Sequence, residues 1–369
     1  MAGNQTFARA KEQEHNEYYT MLSDIEKELR YYRRHFRGKT VLCNCDDPFE
    51  SKFFEYFVKN FNKLGLKKLI ATCYAGSPIA GKQLSLFDVV PEVEPDTPYK
   101  AVVTKVYDAN EDGYVDMFDV KELFFNGENE LTELTGDGDF RSEECLALLD
   151  EADIVVTNPP FSLFREYVVT LLERGKQFLI IGPMNGVKYK ETFPLIRDGK
   201  MWTGYKSMGQ DMYFHVPEEF KEWLLENKKE RSGYVIKDGE VLGRAQAIWF
   251  TNLDIKKRHE DVILVKHYSP DVYPSYVNFD GIDVSSVSDI PCDWEGNMGV
   301  PISFLEEHNP DQFEIVGLGE GDLAKEINIT RNHEGRTKLE YQVEDGEYKR
   351  PYARIVIRNL HPEQSKEKK

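Results

Sequence analysis

The chain has 369 residues, is 40% hydrophobic and 12% aromatic, and carries a formal net charge of −18. That length fits two domains, or one large domain with an appendage, and the apolar content is enough for a sizeable core. No apolar run reaches the roughly 18 residues of a membrane span, and the polar start "MAGNQTFARAKEQEHNEYY" has no signal-peptide core, so a cytoplasmic protein with no membrane partner is expected.

Taken in chain order, "NEYYTMLSDIEKELRYYRRHF" (16–36) has apolar residues at helical spacing. "KTVLCNC" (39–45) reads as a short buried strand ended by "DDPF". The five cysteines, Cys43, Cys45, Cys73, Cys145 and Cys292, are too few and too scattered for a disulfide framework, and Cys43 and Cys45 read as strand residues rather than metal ligands. A helix follows, "ESKFFEYFVKNFNKLG", with Gly65 as its C-cap, then a second strand, "KKLIATCY" (67–74). An acidic segment runs from about 85 to 136 and holds a strand, "YKAVVTKVYD", and a helix, "MFDVKELF". Helix "EECLALLDEA", strand "DIVVT", helix "FREYVVTLLERG" and strand "QFLIIG" (177–182) complete an alternation that predicts a parallel sheet. After about residue 205 the regularity gives way to aromatic, β-like runs: "AQAIWFTNL", "DVILVKHY", "FEIVGLG" and "YARIVIRN".

A charge of −18 argues against a nucleic-acid binder, but the distribution changes that reading. Residues 88–153 hold 20 Asp/Glu against 4 Lys/Arg, so one segment carries nearly all of the excess. The remainder is close to balanced and has basic clusters at 30–39, 256–259 and 348–358. In the C-terminal half, Lys256, Lys257, Arg258, Lys266, Arg354 and Arg358 are, as a set, candidates for contact with DNA phosphates.

The stretch "ADIVVTNPPF" carries the chemistry. Two prolines directly after a buried strand fix a rigid backbone at its carboxyl end, where ligands sit in open α/β sheets. The Asn158 amide oxygen and the Pro159 carbonyl are two acceptors for one exocyclic NH₂. Pro160 stiffens the turn, and Phe161 offers a face for stacking on a planar ring. The set suits an amino-bearing base and leaves the amine's lone pair directed outward.

At these residues the chain resembles the EcoRI-type adenine-specific DNA methyltransferases. "NEYYT", "GKTVLCNCDDPF", "GDGDF", "ADIVVTNPPFSLFREYV" and "NMGVPISFLEEHNPDQFEIVG" carry the resemblance along nearly the whole chain. It implies an α/β fold: a Rossmann-like class I methyltransferase sheet with an appended C-terminal α+β DNA-recognition region. Residues 1–205 would be catalytic and 206–369 would recognise the target. It also implies S-adenosylmethionine as cofactor, double-stranded DNA as substrate and a cognate restriction endonuclease as a candidate partner. Tyr18, Tyr19 and Thr20 would line the methionine end of the cofactor. Asn44, Asp46, Asp47 and Pro48 occupy the first strand-loop, where this sequence departs from the usual Gly-rich turn. Asp139 would accept from the adenosine amine and Phe140 would pack on its ring. Two other readings compete: methylation of a protein glutamine amide, and a degenerate methyltransferase that only binds DNA.

Within the acidic segment, "DANEDGYVDMFD" places Asp108, Asn110, Asp112, Asp116 and Asp119 at the spacing of an EF-hand loop, with Gly113 at the turn and Asp where Glu is usual. This makes the loop a candidate structural calcium site, set against a metal-free surface turn.

Overall fold

The computed structural model describes residues 19–45, 51–73, 98–343 and 345–363. Of the residues singled out above, Tyr18, Asp46, Asp47 and Pro48 lie outside the described residues. Two compact units form. One takes the described residues up to Met184 together with Gly204–Leu253, and the other takes Asn185–Thr203 and the chain from Asp254. Residues 206–253, expected in the C-terminal part, thus fall in the first unit, because the strand Ala247–Thr251 pairs along Gln177–Pro183.

The first unit opens with β1 (Tyr19–Thr20), α1 (Leu22–Leu29), β2 (Thr40–Cys43), α2 (Lys52–Lys59) and β3 (Lys68–Thr72). The acidic segment contributes β4 (Tyr99–Val103), α3 (Met117–Phe125) and β5 (Glu130–Glu133). Then come α4 (Glu143–Glu151), β6 (Ile154–Thr157), α5 (Phe164–Glu173) and β7 (Gln177–Pro183). After the excursion to the second unit follow β8 (Met212–His215), α6 (Glu218–Asn227), β9 (Tyr234–Lys237), β10 (Glu240–Ala245) and β11 (Ala247–Thr251).

Seven of these strands share one sheet in the order β5-β4-β3-β2-β6-β7-β11. Its centre, β3-β2-β6-β7, is parallel, and these strands are near-continuous apolar runs because both of their faces are covered. The flanks are not parallel: β4 runs antiparallel to β3, β5 to β4, and β11 to β7. The sheet is therefore mixed, which corrects the all-parallel expectation. A residue pattern of period 2 identifies a strand but carries no information about its direction.

Two local features position the site. Gly182 in β7 lies under the ring of Phe164, the first residue of α5, and an added Cβ there would collide with that ring. This close approach seats the start of α5 against the sheet directly after the Asn-Pro-Pro stretch. Tyr19 and Thr20 are strand rather than helix, paired antiparallel with His215 and Phe214 of β8 in a second sheet of order β1-β8-β10-β9. β1 also packs against α2, the helix that follows the first strand-loop.

The EF-hand-like loop is held by its own backbone. Asp108 accepts from the N–H groups of Asp112 and Gly113, and Asp112 accepts from that of Tyr114. Buried Asp119 accepts from Ala109 at 2.9 Å and from Asp116 at 2.8 Å, completing a capping box at the start of α3. Asp108, Asp112, Asp116 and Asp119 do not bring three carboxylate oxygens within 4.8 Å of one another, so a calcium cage is not supported. The same spacing of Asp and Asn serves Asx turns and caps as readily as cation ligation. Asp119→Ala is expected to cost about 2 kcal/mol in urea denaturation, with or without added calcium, because it orphans N–H groups at a helix start.

The second unit holds β12 (Ile282–Asp283), β13 (Met298–Pro301), β14 (Phe313–Leu318), β15 (Tyr341–Gln342), β16 (Tyr348–Lys349) and β17 (Arg354–Asn359). A four-stranded sheet runs β12-β13-β17-β14, and a core of Tyr276, Ala324, Ile329, Leu339 and Val356 packs on it. "DVILVKHY" forms no named strand, having only a single bridge from Lys266 to Pro291. His308 is half-buried here, and its ring Nε2 lies 2.9 Å from the Phe313 carbonyl, to which a neutral ring donates. Burial, together with the Arg258 guanidinium, holds its pKa below the usual 6.5. As pH falls through the ordinary histidine range the unfolded chain takes up a proton that the folded ring resists. Stability is thus fully present above that range and declines below it. The melting temperature should fall between about pH 7.5 and about pH 5.5, and His308→Gln should flatten that slope.

Candidate active site

β2 and β6 lie side by side, Val41 opposite Ile154 and Leu42 opposite Val155. Asp153 sets the register: its N–H donates to the Thr40 carbonyl at 2.9 Å, and its carboxylate accepts from the Thr40 N–H at 2.8 Å. The carboxyl ends of the two strands therefore finish together, with Asn44 on one and Thr157-Asn158 on the other. The Thr157 hydroxyl donates to the Asn44 carbonyl, and the Tyr167 hydroxyl, from α5, donates to Asn44 Oδ1 at 2.5 Å. Burial pushes the Tyr167 phenol well above its ordinary range, with the neighbouring Cys45 thiol adding to the shift. Cys45 itself adopts φ +79°, the left-handed conformation for which a glycine would be the unstrained choice.

Asn158 and Pro159 are buried, while Pro160 and Phe161 are half-buried. The Pro160 carbonyl accepts from the Leu163 N–H at 2.9 Å, and the Phe161 carbonyl from the Phe164 N–H at 3.4 Å. These bonds turn the chain from the strand end into α5. Phe140 is buried and meets the Tyr167 ring edge-on at 5.0 Å. A continuous chain of contacts thus runs from Phe140 through Tyr167 and Asn44 to Thr157, next to Asn158.

Asp139 adjoins this chain, engaged differently from the expectation. Its carboxylate accepts from the Arg141 backbone N–H and Nε, each at 2.8 Å, and from Nη2 at 2.5 Å. The Arg141 guanidinium holds the Asp139 carboxyl below the usual range. Arg141 also reaches Glu166 on α5 at 3.4 Å, so it ties the "GDGDF" turn to the helix after the Asn-Pro-Pro stretch. Thr20 Oγ1 is buried and has no hydrogen-bond partner among the described residues.

Sequence reasoning missed Arg141, Thr157, Tyr167 and Glu28. For Tyr167 there was a signal: a tyrosine on the apolar face of a helix buries its hydroxyl and needs an acceptor. Glu28 of α1 is buried and accepts from the N–H groups of Tyr205 at 2.6 Å and Lys206 at 2.9 Å. Tyr205 stacks on Tyr31 at 3.7 Å beside a cleft of about 760 Å³ in the first unit.

The phosphate candidates separate into two kinds. Lys256, Lys266 and Arg358 are exposed and reach only surface partners: Glu260 at 3.7 Å, Asp289 at 3.0 Å, and Glu314 at 3.4 Å. Lys257 is half-buried. Arg258 and Arg354 depart from the expectation. The Arg258 guanidinium lies 3.9 Å from the centre of the Trp202 ring, and burial lowers its pKa. Half-buried Arg354 forms a bidentate pair with buried Asp283, at 2.9 and 3.3 Å, and Asp283 also accepts from Tyr276 at 2.6 Å. Its charge is committed to the interior of the second unit rather than presented to solvent.

No described helix is long and apolar enough to cross a membrane. No solved structure matches the chain significantly. A family model described as "Adenine-specific methyltransferase EcoRI" matches residues 6–360. The Type II methyltransferase M.EcoRI of Escherichia coli is 39% identical over 97% of this chain and 97% of its own length. The Type II methyltransferase M.MpnI of Mycoplasma pneumoniae is 36% identical over 95% of this chain and 97% of its own. The Type II methyltransferase M.MgeORF184P of Mycoplasma genitalium is 34% identical over 95% of this chain and 98% of its own. These matches favour DNA adenine methylation over the glutamine-methylating and binding-only readings. On matches that span nearly its whole length, the chain belongs to the EcoRI family of adenine-specific methyltransferases.

Proposed function

We propose that the chain transfers a methyl group from S-adenosylmethionine to the exocyclic amine of an adenine flipped out of double-stranded DNA. The observation that carries this reading is the buried Asn158-Pro159 pair at the carboxyl edge of β6, beside Asn44 at the carboxyl edge of β2. When bound, the cofactor supplies a methyl group already activated on a sulfonium. Its adenosine and methionine parts suit the residues present: Phe140 offers a ring, Asp139 and Asn44 offer acceptors, and the buried Thr20 hydroxyl lacks a hydrogen-bond partner among the described residues. Tyr18, Asp46, Asp47 and Pro48 complete the proposed set from outside the described residues.

An adenine amine is a poor nucleophile because its lone pair is delocalised into the ring. Acceptance of its two N–H groups by the Asn158 side chain and the Pro159 carbonyl favours the pyramidal form and aims the lone pair. The Pro160 carbonyl accepts from the Leu163 N–H as the chain turns into α5, and the Pro159 carbonyl is the acceptor assigned to the amine. Phe161 stacks on the extruded base and offsets part of the unstacking cost. Once the nitrogen carries the methyl group, its surplus proton leaves to water.

We read the first unit as a Rossmann-like class I methyltransferase domain and the second as the DNA-recognition part, with Lys256, Lys257, Lys266 and Arg358 as phosphate contacts. A restriction endonuclease of matching specificity is the partner proposed. The test is methyl transfer from labelled S-adenosylmethionine to unmethylated genomic DNA, digested to nucleosides and read by mass spectrometry. Label in 6-methyladenine supports the proposal. Label in 4-methylcytosine, or none in DNA, overturns it.

A further inference from the structure

We propose that His267, Cys292 and Asp293 form a site for one divalent cation of the zinc class in the second unit. His267 Nδ1, the Cys292 sulfur and an Asp293 carboxylate oxygen all lie within 4.8 Å of one another. His267 Nδ1 is 3.0 Å from Asp293 Oδ2 and 3.5 Å from Cys292 Sγ. Zinc binds nitrogen and oxygen at roughly 2.0–2.2 Å and thiolate at roughly 2.3 Å, so tetrahedral ligand atoms sit roughly 3.3–3.7 Å apart. The His267–Cys292 separation falls in that range and the His267–Asp293 separation is slightly shorter. These give one nitrogen, one sulfur and one carboxylate oxygen, with the fourth tetrahedral position left to water.

Two further features point to a ligand. The Asp293 carboxylate and the Cys292 sulfur both face the His267 imidazole, a donor set that a cation would neutralise. The supports around the cluster are also built. The Cys292 N–H donates to the Lys266 carbonyl at 2.8 Å, so the two ligand-bearing segments are laced together by backbone. The Tyr268 N–H donates to Asp293 Oδ1 at 2.8 Å, which leaves Oδ2 turned to His267, the outer-shell arrangement that orients a ligating carboxylate. Cys292 is buried while the His267 side chain is 68% exposed, so an ion has a route in. Thiolate and imidazole together favour zinc-class ions over calcium or magnesium. An ion there would pin the 266–268 segment to the 291–293 segment.

The test uses the full-length, reduced, chelator-treated protein titrated with Co²⁺, whose bond to a thiolate gives a near-ultraviolet charge-transfer band. One equivalent of Co²⁺ with that band, displaced by Zn²⁺, is expected. Cys292→Ser should abolish the band. His267→Ala, altering an exposed side chain and so keeping the fold, should weaken binding at least roughly tenfold and remove the rise in melting temperature that Zn²⁺ gives the parent protein. Absence of a stoichiometric band in the parent protein, or a band that survives Cys292→Ser, overturns the proposal.

Discussion

Asn158→Ala is expected to slow methyl transfer to adenine by about 10²–10³-fold, the effect of deleting one preorganised polar partner of a developing charge. The loss should fall on the chemical step, because the proposed role of Asn158 is to hold the target amine rather than the cofactor. Single-turnover rates should drop, while the cofactor dissociation constant measured by calorimetry stays within a few-fold. Asn158→Asp keeps an acceptor in place and should retain more activity than the alanine variant. Asn158 is buried, so a melting curve must accompany each variant. A stable Asn158→Ala protein that methylates within tenfold of the parent rate would remove this residue from the chemistry.

The second large effect concerns stability. Arg354, half-buried, pairs with the buried Asp283 carboxylate, to which Tyr276 also donates. Removing one member of such a pair leaves an uncompensated charge inside and costs about 3–5 kcal/mol, whereas replacing both by apolar side chains of similar volume is often close to neutral. Arg354→Ala should therefore destabilise the second unit by that amount, and the double change Arg354→Met with Asp283→Leu should recover much of it. Hydrogen exchange in β17 and β13 is the suitable readout, since a chain of two compact units need not unfold as one. If Arg354→Ala instead left exchange unchanged and made DNA binding less salt-dependent, the residue would be the phosphate contact that its sequence context suggests.

The sequence alone carried the residues whose chemistry is contiguous. Asn158-Pro159-Pro160-Phe161, the proposed base-holding set, could be singled out because four neighbours after a buried strand suit an amino-bearing base without reference to any distant residue. The buried strands β2, β3, β6 and β7 were legible for a similar reason, as short apolar runs bounded by turn residues. Tertiary structure decided everything that depends on which segment lies beside which. The pairing of β2 with β6 brings Asn44 to Thr157 and Tyr167, residues more than a hundred positions away, and no local pattern announces that neighbour. Strand direction belongs to the same class: β4, β5 and β11 have ordinary strand patterns, and only their hydrogen-bonded partners make them antiparallel. Charges were the least legible. "YARIVIRN" offers Arg354 and Arg358 in the same strand, yet one pairs with buried Asp283 and the other reaches Glu314 at the surface. Asp119 stands at a cation-ligand position in sequence and caps a helix in the structure. An ionised side chain settles wherever its compensating partner is, and for Arg354, Arg258 and Glu28 that partner is supplied by a remote segment that only the folded chain brings within reach.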